Sequence, residues 1–196
     1  MRNILKATTL ENKFPLLAVE HGCIISKDAD LTVAFEVELP ELYTVTGAEY
    51  EAIHGCWIKA IKVLPDYSIV HKQDWYIRET YKPELHKEDM SFLSRSFERH
   101  FNERPYLKHT CYLYLTKTTK ERSRMQSNFS TLCRGHIIPK EINKDTATKF
   151  LEATEQFERI MNDSVFVKLR RLTTDEIVGT EEQAGVIERY FSLMPE

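Results

Sequence analysis

Apolar and polar positions alternate most clearly in "LTVAFEVEL" at 31–39. Leu31, Val33, Phe35, Val37 and Leu39 fall on one side, Thr32, Glu36 and Glu38 on the other. Strand side chains point to opposite faces in turn, so this period of two predicts a strand with one buried and one solvated face. Upstream, "VEHGCII" puts Val19, His21, Cys23 and Ile25 on one face, and "SKDAD" supplies turn residues, so 19–39 reads as a β-hairpin. "YSIVHKQDWYIRET" at 67–80 reads as a third strand, with Ile69, Trp75 and Ile77 on a shared face. "LKHTCYLYLTK" reads as a fourth, setting Leu107, His109, Cys111, Leu113 and Leu115 against Tyr112 and Tyr114.

Between the strands the spacing becomes helical. Thr46 and Glu49 have the spacing of a capping box, and Tyr50, Ile53, Trp57, Ile61 and Leu64 form an apolar stripe that Pro65 ends. A second helix is expected over about 89–103, with Leu93, Phe97, His100 and Phe101 in phase, ending before Pro105. A third, 145–162, carries Ala147, Phe150, Leu151, Thr154, Phe157 and Met161. "VFVKLRRL" suggests a further strand, and Thr173 with Glu176 and Thr180 with Gln183 head short C-terminal helices. "TTKERSRMQSNFSTLCRGHIIPKE" has no sustained period and reads as a long loop or short helical pieces. This order predicts an α+β fold: a mainly antiparallel sheet, opened by the N-terminal hairpin, with helices packed on one face as a two-layer sandwich. No Gly- or Pro-rich linker divides the chain, so 1–196 reads as a single domain.

Composition narrows the function classes. At 42% hydrophobic and 29% charged, 196 residues make an ordinary globular domain, and a net charge of −3 excludes a surface that is basic throughout. "FPLLAV" is too short to cross a bilayer, and "MRNILKATTLENK" has no apolar core of a secretory signal. Four cysteines read as reduced thiols, so the expectation is a soluble, cytoplasmic protein that meets a membrane only through partners.

Each cysteine has a histidine two or three residues away: His21–Cys23, His54–Cys56, His109–Cys111 and Cys133–His136. On a helix, His54 and Cys56 lie about 200° apart and cannot hold one ion; His54 falls in the apolar stripe and Cys56 on its flank. The strand pairs lie on apolar faces, where cysteine packs as a small hydrophobe and histidine as a hydrogen-bonded core residue. Only Cys133–His136 has no core explanation, and it would need two further ligands. No metal, cofactor or catalytic residue is therefore assigned. The glycines at 22, 47, 55, 135, 179 and 185 never give a P-loop; Gly179 and Gly185 come nearest, without the lysine. Asp175–Glu176 and Glu181–Glu182 read as helix starts that complement the dipole. Lys117, Lys120, Arg122, Arg124, Arg134 and Lys140, with Phe129 among them, form a basic segment suited to a protein partner or to phosphates.

Long stretches carry a resemblance as well: "MRNILKATTLENKFPLLAVEHGCIISKDADLTVAFEVELPELYTVT", "AIKVLPDYSIVHKQDW", "SFLSRSFERHFNERPYL" and "CYLYLTKTTKERSRMQSNFSTLCRG". Together they resemble the start of the TraG family of conjugation ATPases, encoded by conjugative transposons and related to the large type IV secretion ATPase. The similarity runs through "FSLMPE" and involves no catalytic motif. It implies an N-terminal domain that couples a separate P-loop motor to the secretion channel at the inner face of the inner membrane. Its partners would be that motor and other type IV secretion components, with DNA a weak further partner through the basic loop 117–140. No ATPase activity is expected of this chain itself.

Overall fold

The computed structural model describes residues 14–27, 29–40, 43, 45–80, 91–102, 104–118, 144–164 and 166–192. Among these lie six strands: β1 (Leu16–Glu20), β2 (Cys23–Ser26), β3 (Leu31–Glu38), β4 (Ser68–Thr80), β5 (Pro105–Lys117) and β6 (Lys168–Arg171). The helices are α1 (Gly47–Val63), α2 (Phe92–Asn102), α3 (Lys144–Asp163), α4 (Thr174–Val178) and α5 (Val186–Ser192). The fold is α+β, built on one antiparallel sheet in the order β1-β2-β3-β5-β4, with β6 also on β3. No helix among the described residues is long and apolar enough to cross a membrane.

The expected N-terminal hairpin is a three-strand meander. "VEHGCII" does not run as one strand: His21 (φ 52°) and Gly22 (φ 68°) turn the chain between β1 and β2. Two consecutive positive φ values give a tight hairpin whose twist matches its strands, and glycine adopts such a φ without a Cβ clash. His21 is consequently exposed in the turn, while Cys23 is buried at the start of β2.

β3 is the centre of the sheet. One edge pairs with β5 from Leu31↔Lys117 to Val37↔Cys111. β2 and β6 share its other edge, β2 along Leu31–Val33 and β6 along Phe35–Glu38. β3 and β4 are both antiparallel to β5, so they run the same way, and β3–α1–β4 is a crossover split by β5.

Val33, Phe35 and Leu115 are fully buried on the face that receives α1 and α3. Phe150, Phe157 and Met161 of α3 show no exposed surface, which bears out its stripe. The phase of α1 differs from expectation. Trp57 and Leu64 of the expected stripe do pack on the core, but Ala60 is the buried residue and Cys56 packs there too, whereas Tyr50 and Ile61 are exposed. The Cys56 thiol donates to the Ile160 carbonyl at 3.3 Å, and His54 is exposed. Small side chains let the α1 and α3 backbones approach closely; the larger Tyr50 and Ile61 would hold them apart.

The opposite face is covered too. Ala34, Trp75 and Tyr112 form a second core with Leu172, Ile177 of α4 and Val186 of α5. The long helices thus occupy one face, as expected, and the short C-terminal helices close part of the other. Thr173 and Glu176 make the predicted capping box, as do Thr46 and Glu49. Thr180 accepts from the Gln183 amide within a turn instead of heading a helix, because the backbone there pairs Gly179 with Ala184 before α5 begins.

Candidate functional site

β4 and β5 pair over thirteen positions, from Ser68↔Lys117 to Thr80↔Pro105. β3 leaves β5 at Cys111, so Pro105–Thr110 and their β4 partners continue as a two-stranded arm. Exposure follows the pairing: Leu113 and Leu115 are buried under the helices, while Tyr76, Tyr106 and Leu107 on the arm are exposed. Sequence periodicity places Leu107 and Leu115 on the same face; only the length of β3 distinguishes them.

A charged and aromatic cluster occupies one side of this arm. Asp74 accepts from the Lys72 ammonium, and its Oδ1 stands 2.8 Å from His109 Nε2. Tyr76 stacks on the His109 ring with centroids 4.7 Å apart. The Lys72 ammonium, and after it His109, hold the Asp74 carboxyl at about 2, below its ordinary 3.8. His109, expected in the core, is therefore a surface residue held by Asp74. Cys111 beneath it is buried, and burial pushes its thiol up to about 11. A thiol so raised is a poor nucleophile, since only the thiolate attacks.

α2 adds an exposed apolar surface. Leu93, Phe97 and Phe101 lie along one flank of the helix, as the spacing predicted, yet all three are exposed, as is Phe92. Arg95 and Arg99 occupy the other flank. The stripe is legible in the sequence, but not that the fold leaves it uncovered.

Of the basic residues, Lys117 ends β5, while Lys120, Arg122, Arg124, Arg134 and Lys140 lie outside the described residues, with Phe129, Cys133 and His136. Lys117 is engaged locally: its ammonium donates to the carbonyls of Asp66 and Thr118 at 2.8 Å and sits 5.5 Å over the Tyr67 ring. Burial lowers its pKa. Two of its three donors are thus taken by backbone carbonyls.

The two glycines nearest to a P-loop have a packing role. A Cβ on Gly185 would stand 2.3 Å from the Gly179 nitrogen and 2.3 Å from the Val178 carbonyl carbon. The backbones cross there too closely for any side chain. Asp175 and Glu176 fall in the first turn of α4, as expected of a helix start. Among the described residues no group of three or more His, Cys, Asp or Glu side chains is placed to hold a metal ion.

Comparison with protein families matches residues 3–55 to a family described as "Domain of unknown function, B. Theta Gene description (DUF3875)". That span takes in the β1–β2–β3 meander and the first half of α1. Comparison with curated proteins finds no match.

Proposed function

We propose that this chain is a non-catalytic coupling domain that works through protein–protein contacts. The observation that carries this reading is the exposed flank of α2, where Leu93, Phe97 and Phe101 form an apolar stripe that the rest of the described fold does not bury. An uncovered helix stripe of this kind suits a partner's groove or helix. The arm beside it in sequence, with Tyr76, Tyr106 and Leu107 exposed, enlarges the aromatic surface that protein interfaces favour. The raised Cys111 thiol gives no support to a nucleophilic enzyme.

The sequence resemblance supplies the setting: a TraG-family conjugative DNA-transfer ATPase, in which this domain docks the P-loop motor to the type IV secretion channel at the inner face of the inner membrane. Direct nucleic-acid binding through the loop 117–140 is the less favoured reading, because Lys117 spends two of its three donors on nearby carbonyls.

Binding of the purified chain to a P-loop motor domain of a TraG-family ATPase, and to channel components of the same system, tests the proposal. A triple change, Leu93→Ser, Phe97→Ser and Phe101→Ser, is expected to weaken binding by roughly tenfold or more, as for loss of an interface hot spot. Equal binding by the two forms, or binding by neither, overturns it. ATP turnover that tracks with the protein peak would contradict the non-catalytic assignment.

A further inference from the structure

Arg170 and Arg189 both line a cleft between the second face of the sheet and α4–α5, but their surroundings differ. Arg170 bridges two carboxylates, donating to Glu36 and, at 2.6 Å, to Glu176. Arg189 has no carboxylate partner among the described residues. It donates through Nη2 to the Tyr112 hydroxyl at 3.1 Å, and its guanidinium carbon lies 5.7 Å from the Trp75 ring. Its Nε is buried and has no acceptor, and Trp75 Nε1 is a second buried donor without one. Trp75 is itself only 5% exposed.

Two buried, unsatisfied N–H donors beside one unpaired guanidinium are costly unless something accepts from them. Glu36 and Glu176 are engaged by Arg170 and neither pairs with Arg189, and Asp175 stands at the exposed rim. The cleft measures about 250 Å³ and also offers Lys108, Thr110 and Gln183. It is smaller than the roughly 300–1,000 Å³ of a drug-sized ligand site, so it fits a compact group and not an extended one.

We propose that this cleft is an oxyanion-binding site, with the Arg189 guanidinium as its anchor, Trp75 packed behind that guanidinium, and Lys108, which also reaches Glu79 at 3.3 Å, on its lining. The ligand is a phosphate or a carboxylate, whose planar or tetrahedral oxygens can accept the arginine's fork. It is independent of the α2 surface, so either reading can fail alone.

The test is titration of the isotope-labelled chain with inorganic phosphate, and separately with acetate, at constant ionic strength against chloride. Trp75 indole N–H and Arg189 Nε–H resonances are expected to shift in a saturable way with one of the two anions, and the preferred anion distinguishes the sources. Arg189→Gln should weaken that binding by roughly tenfold or more, and Arg189→Lys, which keeps the charge but loses Nε, should restore it only partly. If Arg189→Gln fails to fold, the wild-type resonances still decide. No saturable shift beyond chloride with either anion overturns the assignment, and so does unchanged affinity in a folded Arg189→Gln.

Discussion

Asp74 Oδ1 meets His109 Nε2 diagonally across the β4–β5 arm, at 2.8 Å. Asp74 is paired directly with Cys111, the last β5 residue that β3 reaches, and Tyr76 with His109, so this contact spans two register steps from the end of the β3 pairing into the arm. With Lys72 on its other side, the carboxylate ties β4 to β5 at the point where β3 leaves them.

A carboxyl held at about 2, below its ordinary 3.8, adds stability that is present above pH 3.8 and lost as pH falls toward 2. The group is partly exposed, so after solvent screening its worth is about 1 kcal/mol. Asp74→Asn is expected to lose that amount at neutral pH and to converge with the wild type near pH 2. Urea unfolding at stepped pH measures both. A gap that persists unchanged into acid would show that the carboxylate charge is not its source.

With its thiol raised to about 11, Cys111 should resist alkylation in the folded chain. At pH 8 a thiol of that pKa is about one part in a thousand thiolate. Peptide mass spectrometry after iodoacetamide treatment should find Cys111 unmodified until urea is added. Equal labelling in native and unfolded protein would contradict its burial.

Gly55 and Gly185 should respond to alanine with opposite signs. A Cβ on Gly55, in the middle of α1, meets nothing within 4 Å, so Gly55→Ala should stabilise by about 0.5–1 kcal/mol. Gly185→Ala drives its Cβ into the Val178–Gly179 backbone and should lower the melting temperature sharply, by parting α5 from α4. A neutral Gly185→Ala would mean that these backbones do not cross so closely.

Phe157 and Phe97 separate a core stripe from an exposed one. Phe157 is fully buried and packs edge-on against Trp57 at 6.2 Å, so Phe157→Ala should cost about 3–5 kcal/mol. Phe97, 63% exposed, should change stability by no more than about 0.5 kcal/mol when replaced by serine. Chemical denaturation compares the two directly. A large loss at Phe97 would place α2 against the core.

The sequence by itself determined the local elements. Period-two alternation located β3, β4 and β5, a 3.6-residue stripe located α3, and Thr46 and Thr173 marked two helix starts, because strand geometry and capping depend on neighbouring residues alone. The interruption at His21–Gly22 was hidden within an otherwise good alternation, and Cys56 and Ala60 lost to the larger Tyr50 and Ile61 in the reading of α1.

Tertiary structure decided everything that depends on which strand lies beside which. β3 stops pairing at Cys111, so the same alternating face is core at Leu113 and surface at His109. The Asp74–His109 contact needs the β4–β5 register, and the Arg189 cleft needs α5 folded back over Trp75 and Tyr112, seventy-seven residues from the tyrosine it touches. Burial is a property of the assembled sheet and helices; a side chain's own sequence neighbourhood reports its direction, not what will cover it.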